Sequence, residues 1–343
     1  MRKVLHRLFL QLLNLKNNHT LKNIIPIAAC LLGLVSCNAQ KNSGSGNKTQ
    51  AFLGQKEGGE WVWVTKSGGK QQFEYRGGSF KPVSELKVSE KHTDHSLDIQ
   101  LEGPAWESDK IGYRIYLDWR NATDIFGKMV DTLVLHRVGL DGFDSYHETS
   151  DWGVDVLKVG NSLGIGTIGF WDGQKAIRVE KTDSIKCRVD NFKGYSVVKV
   201  DYYGWQINGM RTDIYTILTI EKGSYLSRYD ISLSDELPNI ATGIVTLPGT
   251  DLKVIQDIKP GWNCLVTFGV QSLQNDCLGM CVFYKSNQAL EITEDPDSHV
   301  VVLKPQNKKL TYYFGAAWQQ DQSKVSSMEE FESILRDQVR FIK

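Results

Sequence analysis

From residue 61 onward the apolar positions fall in short runs rich in Val, Ile, Tyr and Thr. Gly, Asn, Asp or Pro separates each run from the next. The pattern predicts strands over 61–64, 80–83, 97–101, 111–119, 132–138, 196–203, 214–221, 225–233, 264–269, 279–284, 300–303 and 310–314. A helical rhythm closes the chain: Ser327-Met328-Glu329-Glu330 spells a capping box, and Phe331, Ile334, Leu335 and Ile342 follow as an apolar stripe. No repeat recurs at a solenoid or propeller period. An immunoglobulin-like sandwich would use only about a hundred residues. The pattern therefore predicts an all-β fold, a large two-sheet antiparallel sandwich with a C-terminal helix, built from residues 58–343 as a single domain.

The alternation is plainest from Tyr113 to Arg120. Tyr113, Ile115, Leu117 and Trp119 are expected to face the core, while Arg114, Tyr116, Asp118 and Arg120 share the other side of one strand. Polar-out alternation is the default of antiparallel sheets, so a plain solvated strand would look the same. Two guanidinium groups beside a phenol and a carboxylate also suit a floor that binds carboxylates and paired hydroxyls.

The N-terminus changes the picture of where the chain works. Arg2, Lys3, Arg7, Lys16 and Lys22 precede an apolar run from Ile24 to Val35, which ends in Leu34-Val35-Ser36-Cys37. A basic flank, a short apolar stretch and small residues before a cysteine predict a lipoprotein signal peptide over 1–36. Lipidated Cys37 would then begin a flexible tether over 37–57, rich in Ser, Gly, Asn and Lys. The expected place is extracytoplasmic, anchored by lipid to the outer membrane. In such a compartment a disulfide among Cys187, Cys264, Cys277 and Cys281 is an alternative to buried free thiols.

Lys+Arg and Asp+Glu both total 40, so no bulk field attracts nucleic acid. Nine tryptophans and thirteen tyrosines offer flat faces that stack on sugar rings. The candidate chemistry concentrates between Lys91 and Asp155, where His92, His95, His136 and His147 lie among carboxylates, arginines and tryptophans. Proton removal next to a uronate carboxylate needs a base, an acid and a cation. His92, His95 or His147 is available as base, Tyr113, Tyr116 or Tyr146 as acid, and Arg114 or Arg120 as cation. A histidine–carboxylate pair for anomeric interconversion would join His95 or His147 to Glu107 or Asp109. Glycoside hydrolysis would pair Glu107 with Asp118, Asp144 or Asp151. Trp106, Trp119, Trp152 and Tyr146 are candidate stacking surfaces. The His92-to-His95 spacing with Asp94 names too few ligands for a metal site, and no metal or cofactor is expected. Gly160, Gly164 and Gly166 do not open a helix after a strand, which rejects a nucleotide loop.

Several long runs carry a resemblance. They are His92–His95, Glu102–Lys110, Gly112–Asn121, Asp124–Lys128, Asp141–His147 and Ser150–Lys158, with Tyr202–Trp205 and Tyr313–Trp318 further on. Over them the chain resembles a family of exported proteins carried under a domain-of-unknown-function label, found in bacterial gene clusters for polysaccharide utilisation, often beside pectin-degrading enzymes. At fold level the sandwich resembles the galactose-mutarotase-like supersandwich of sugar epimerases and some polysaccharide lyases. The resemblance implies a monomeric protein that acts on acidic, pectic-type oligosaccharides as a lyase or epimerase. The rival expectations are a non-catalytic glycan-binding lipoprotein and, more distantly, a structural envelope lipoprotein.

Overall fold

Along Tyr195–Ile207, Met210–Glu221 and Leu226–Leu233, buried and more exposed positions alternate, the signature of strands with one face on a core. In the computed structural model, which describes residues 46–141 and 145–343, these strands are the middle of a nine-stranded antiparallel sheet. Its order is Thr250–Lys259, Trp262–Val270, Cys277–Lys285, Lys309–Trp318, Leu226–Leu233, Met210–Glu221, Tyr195–Ile207, Ser184–Phe192 and Glu85–Lys87. Two five-stranded sheets oppose it. One orders Thr49–Phe52, Ala105–Ser108, Gly112–Ile115, Thr123–Lys128 and Gly153–Asp155. The other orders Ala176–Arg178, Gly169–Trp171, Ile240–Val245, Ser298–Leu303 and Ala289–Glu294. The segment 164–165 ties the two together, Gly164 bridging Thr123 and Ile165 bridging Ile244. The fold is thus an all-β sandwich of antiparallel sheets, and Met328–Gln338 is its C-terminal helix, capped by Ser327 accepting from the Glu330 amide.

The layers are joined by polar as well as apolar contacts. Trp106 donates its indole N–H to Ser227 Oγ (2.7 Å), and Tyr113 donates to the Tyr225 carbonyl (2.6 Å) while accepting from the Ala316 amide (3.0 Å). Both rings belong to the main core. A smaller core of Leu101, Ala105, Phe126, Val134, Leu135, Val138, Tyr146 and Trp152 forms separately. A long two-stranded ribbon, Gly54–Thr65 with Gln71–Pro82, completes the described elements.

Several local expectations are corrected. Within the stretch expected as tether, 49–52 and 54–57 are strand: Thr49 to Phe52 pair with Ser108 to Ala105, Gly54 begins the ribbon, and Thr49 and Ala51 are buried. The strand expected over 111–119 ends at Ile115, because the chain turns back between Asp118 and Asn121 and the Tyr116 amide bonds the Ala122 carbonyl. Trp119 therefore faces outward, 43% exposed, instead of entering the core. Residues 97–101 and 132–138 are not continuous strands; each region forms a short 3₁₀ turn, at Gln100–Glu102 and Leu135–Arg137. The four body cysteines are free thiols, with Cys187, Cys264 and Cys281 buried and Cys277 half-buried. No helix among the described residues is long and apolar enough to cross a membrane. The signal peptide and Cys37 lie outside the described residues.

Candidate functional site

Arg114 sits in the strand Gly112–Ile115 between Tyr113 and Ile115, which both join the main core, so its side chain takes the opposite face of the small sheet. Strand register sets Asp124 directly across from it. Segments 99–102, 134–141 and 145–152 cover that face and bury the guanidinium almost completely. A buried cation needs every donor met. Arg114 donates to Asp124 Oδ2 (2.8 Å), Asp155 Oδ2 (3.2 Å), the Tyr116 hydroxyl (2.7 Å) and the Tyr146 hydroxyl (2.9 Å). Tyr116 in turn donates to Asp124 Oδ2 (2.9 Å).

The network reaches outward on two sides. His147, half-exposed, brings Nδ1 within 3.5 Å of Asp155 Oδ2. On the other side Glu102 Oε2 lies 3.9 Å from Arg114 Nη1, while its Oε1 accepts from the His95 amide and from Arg120 Nη2, both at 2.9 Å. Arg120 also pairs with Asp118 and, at 2.9 Å, with Asp94, which holds the His95 ring. Asp94, His95 and Glu102 have the ligand types of a metal centre, with candidate atoms within 4.8 Å of one another. The Arg120 guanidinium already bonds both carboxylates, so the cation in this grouping is an arginine.

Two clefts open over the network. The larger, about 490 Å³, is lined in part by Lys56, Phe80, Leu97, Glu102, Asp141 and Tyr146. That volume is within the ordinary range for a small-molecule site. The smaller, about 240 Å³, shares Gly139, Asp141 and Tyr146 and adds Arg137, Asp151 and Trp152. The backbone around the larger cleft is strained: His95, Leu97, Leu101 and Glu102 hold φ of 61°, 63°, 58° and 59°. Non-glycine residues in that region cost about 1–3 kcal/mol each, and such strain gathers at functional sites.

Environment separates the titrating groups. Burial pushes the Glu102 carboxyl up, but Arg120 and Arg114 outweigh it and hold Glu102 below the usual carboxylate range, ionised. Burial raises Tyr146 to about 12 despite Arg114 nearby, so its phenol keeps its proton. Burial and the adjoining Asp124 push Asp155 well up against the pull of Arg114, favouring its protonated form. Asp94 raises His95 by hydrogen bond and charge, favouring imidazolium. One wall of one cleft therefore carries an ionised carboxylate and a protonated phenol.

A family model described as a domain of unknown function, DUF4861, matches residues 18–343. The chain belongs to the DUF4861 family. No curated protein and no solved structure matches it.

Among the residues singled out by sequence, this DUF4861 chain brings Arg114, Tyr116, Tyr146, His147, His95, Asp118 and Arg120 into one network. Asp151 and Trp152 line the smaller cleft. Others are placed elsewhere. Glu107 is fully buried, bound by Lys128 Nζ (2.6 Å) and by the amides of Val134 and Leu135, which makes it an internal anchor and removes it from any acid/base pair with solvent access. Tyr113 has its hydroxyl committed between the two layers, and Trp106 is buried against Ser227, so neither offers an acid or a stacking face. His92 is buried on Asp98 (2.7 Å), which holds its ring, and it feels the charges of Glu102 and Asp118 without bonding them. Asp109 accepts from the Gly223 amide and tethers a turn. Arg114 and Arg120, expected to neutralise a substrate carboxylate, are already taken by carboxylates of the protein. Asp144 lies outside the described residues. Sequence reasoning passed over Glu102, Asp124 and Asp155 as site residues. Their signal was present only as carboxylates inside the resembling runs, and their partner Arg114 is assigned by strand register.

Proposed function

We propose that this DUF4861 protein is an extracytoplasmic, lipid-anchored, carbohydrate-active protein that acts on uronate-containing, pectic-type oligosaccharides by acid/base proton transfer. In this reading Glu102 is the base and Tyr146 the proton donor, and Lys56 on the cleft wall meets the substrate carboxylate in place of Arg114. The observation that carries the reading is the opposed protonation of Glu102 and Tyr146 on one cleft wall. Lys56 supports the role of carboxylate partner because its ammonium lies 5.1 Å over the Phe80 ring, and no salt bridge to it is found among the described residues. The Asp124–Asp155 pair and His147 would then return protons between the buried network and solvent. The lipid anchor rests on the Leu34–Cys37 pattern, the polysaccharide-utilisation setting on the resembling runs, and the galactose-mutarotase-like likeness on the sandwich shape alone.

A second reading, non-catalytic capture of glycans, is favoured by the full commitment of both guanidinium groups to carboxylates of the protein. Incubating the protein with oligogalacturonates separates the two. Turnover would appear as ultraviolet absorbance of a new C4–C5 double bond, or as changed epimer or anomer ratios by NMR. Glu102→Gln and Tyr146→Phe should then each lose about a hundredfold or more in rate while binding persists. Binding without turnover supports capture, and no binding to any acidic glycan refutes both readings.

A further inference from the structure

The ribbon Gly54–Thr65/Gln71–Pro82 has an aromatic side that nothing in the cleft chemistry uses. Register pairs Trp61 with Tyr75 and Trp63 with Phe73, which sets the four rings on one face. Their centroids are 5.3 Å and 4.5 Å apart, edge to face. Trp63 is 57% exposed, and its indole N–H is pinned on Gln71 Oε1 (2.8 Å), so the ring is held in place with its surface open. The Lys91 ammonium lies 4.6 Å over Phe73. The base of the same ribbon lines the larger cleft through Lys56, Gly78, Ser79 and Phe80. Between base and tip, Gly59 and Gly77 face each other, and Gly58, Gly77 and Gly78 have φ of 79°, 72° and 70°, a bend in both strands. A Cβ on Gly78 would meet the Glu57 carbonyl at 2.2 Å. Backbone and side-chain bonds clip the ribbon to the strained segment of the site: Lys56 N to the Asp98 carbonyl (2.8 Å), Tyr75 N to the Ser96 carbonyl (2.7 Å) and Gln72 Nε2 to the Asp94 carbonyl (2.9 Å).

We propose that the aromatic face of this ribbon is a second carbohydrate subsite, on which the outer rings of an oligosaccharide stack while its reacting end lies in the cleft. The proposal rests on the glycan reading above and extends it from one sugar ring to a chain. Continuity argues for this occupant: Ser79, which shares the ring-bearing register of Phe73 and Tyr75, lines the cleft, and the glycine bend lies between it and the rings. Charge argues against an anionic membrane: between Gly58 and Gly78 the tip has Lys66, Lys70 and Arg76 against Glu60 and Glu74, short of the roughly 4–8 clustered cations such binding uses. Size argues against a stable second copy, because four rings, three of them half-buried, offer well under the roughly 800 Å² per partner of a standard interface.

The test compares a galacturonate dimer with a hexamer by calorimetry, using the whole protein and the variants Trp63→Ala, Phe73→Ala and Trp63→Tyr. An aromatic contact of about 0.5–1.5 kcal/mol predicts that each alanine variant weakens the hexamer about two- to tenfold. The dimer should bind all proteins alike, and Trp63→Tyr should keep most of the hexamer affinity. Equal losses for dimer and hexamer, or a hexamer unaffected by either alanine change, would overturn the subsite and leave the cleft reading standing. Wild type binding the dimer as tightly as the hexamer would do the same. If wild type binds neither, both proposals fall. Loss of sedimentation with phosphatidylglycerol vesicles in Trp63→Ala, with hexamer binding intact, would reassign the face to a membrane.

Discussion

Replacing Arg114 by leucine removes the one cation shared by Asp124 and Asp155. The guanidinium is 2% exposed and makes bonds of 2.8 and 3.2 Å to the two carboxylates and 2.7 and 2.9 Å to the Tyr116 and Tyr146 hydroxyls. Removing one partner of a buried ion pair costs about 3–5 kcal/mol, because the other is left charged and desolvated. Two carboxylates and two phenols lose a partner here, which points to the upper end. Protonation limits the loss. Burial and Asp124 already hold the Asp155 pKa above its unfolded value, and Arg114 opposes them. A carboxyl raised in the folded state keeps a proton that the unfolded chain releases, so its contribution falls as pH rises from the unfolded pKa through the folded one. Taking Arg114 away raises that folded pKa further. The deficit of Arg114→Leu should therefore be near 3–5 kcal/mol at neutral pH. It should shrink as pH falls through the range in which Asp155 takes up its proton, since the variant takes it up at the higher pH. Adding Asp155→Leu should recover part of it. Urea unfolding of wild type, both singles and the double, across acid to neutral pH, measures all of this. A deficit below about 1 kcal/mol, or one that does not change with pH, would refute the account of a shared buried cation.

Lys128→Met should destabilise by about 3–5 kcal/mol, since it strands the buried Glu107 carboxylate, yet leave dimer affinity unchanged in the protein that folds; a loss of affinity would return Glu107 to the site. The rate of any proton-transfer reaction should rise through an acid limb below 4.5, set by the depressed Glu102, and hold until an alkaline limb near 12 set by Tyr146. In the same linkage Glu102 contributes stability above its unfolded pKa and loses it as pH falls through the lowered folded value, so the acid limb must be read at temperatures well below unfolding. Gly166→Ala should lower the thermal midpoint by several degrees, because Gly166 has φ of 66° and an added Cβ would meet the Phe314 ring at 2.2 Å. An unchanged midpoint would mean that the strap between the two small sheets relaxes freely.

The body of the nine-stranded sheet was legible in the sequence because its strands obey the rule that reads them. Ile214, Thr216, Leu218 and Ile220 are buried and their neighbours are not, so a period of two survives in the residues. The stretch from Tyr113 to Arg120 keeps that period on paper, yet the chain leaves the sheet after Ile115. What turns it is local: Asp118 accepts from the Arg120 amide and guanidinium, and Asn121 takes φ of 35°. At residues 97–102, Leu97 and Leu101 look like strand residues but hold left-handed backbone, a conformation their side chains disfavour and only the surrounding structure enforces. For the same reason the site was visible as a region and not as partners. Arg114 and Asp124 meet through register, and Asp155 arrives from another strand of the sheet. Neither pairing leaves a mark in spacing.

Charge sets the protonation of this network. Around it Asp94, Glu102, Asp118, Asp124 and Asp155 pair directly with two guanidinium groups, Arg114 and Arg120, while Arg178 near Asp118 and the raised His92 and His95 add to the positive field. A site built for rigidity alone would match these charges or replace them with packed apolar groups, often at no loss of stability. Here the excess of acid is settled by protons instead, with Asp155 raised and His95 raised toward imidazolium. The left-handed backbone at His95, Leu97, Leu101 and Glu102 adds a cost of about 1–3 kcal/mol each, which the surrounding structure must offset. Shifted protonation and a backbone held out of its resting conformation converge on the same cleft wall, which the largely buried Glu102 and Tyr146 line. Stability would be better served by removing either feature, and the wall keeps both.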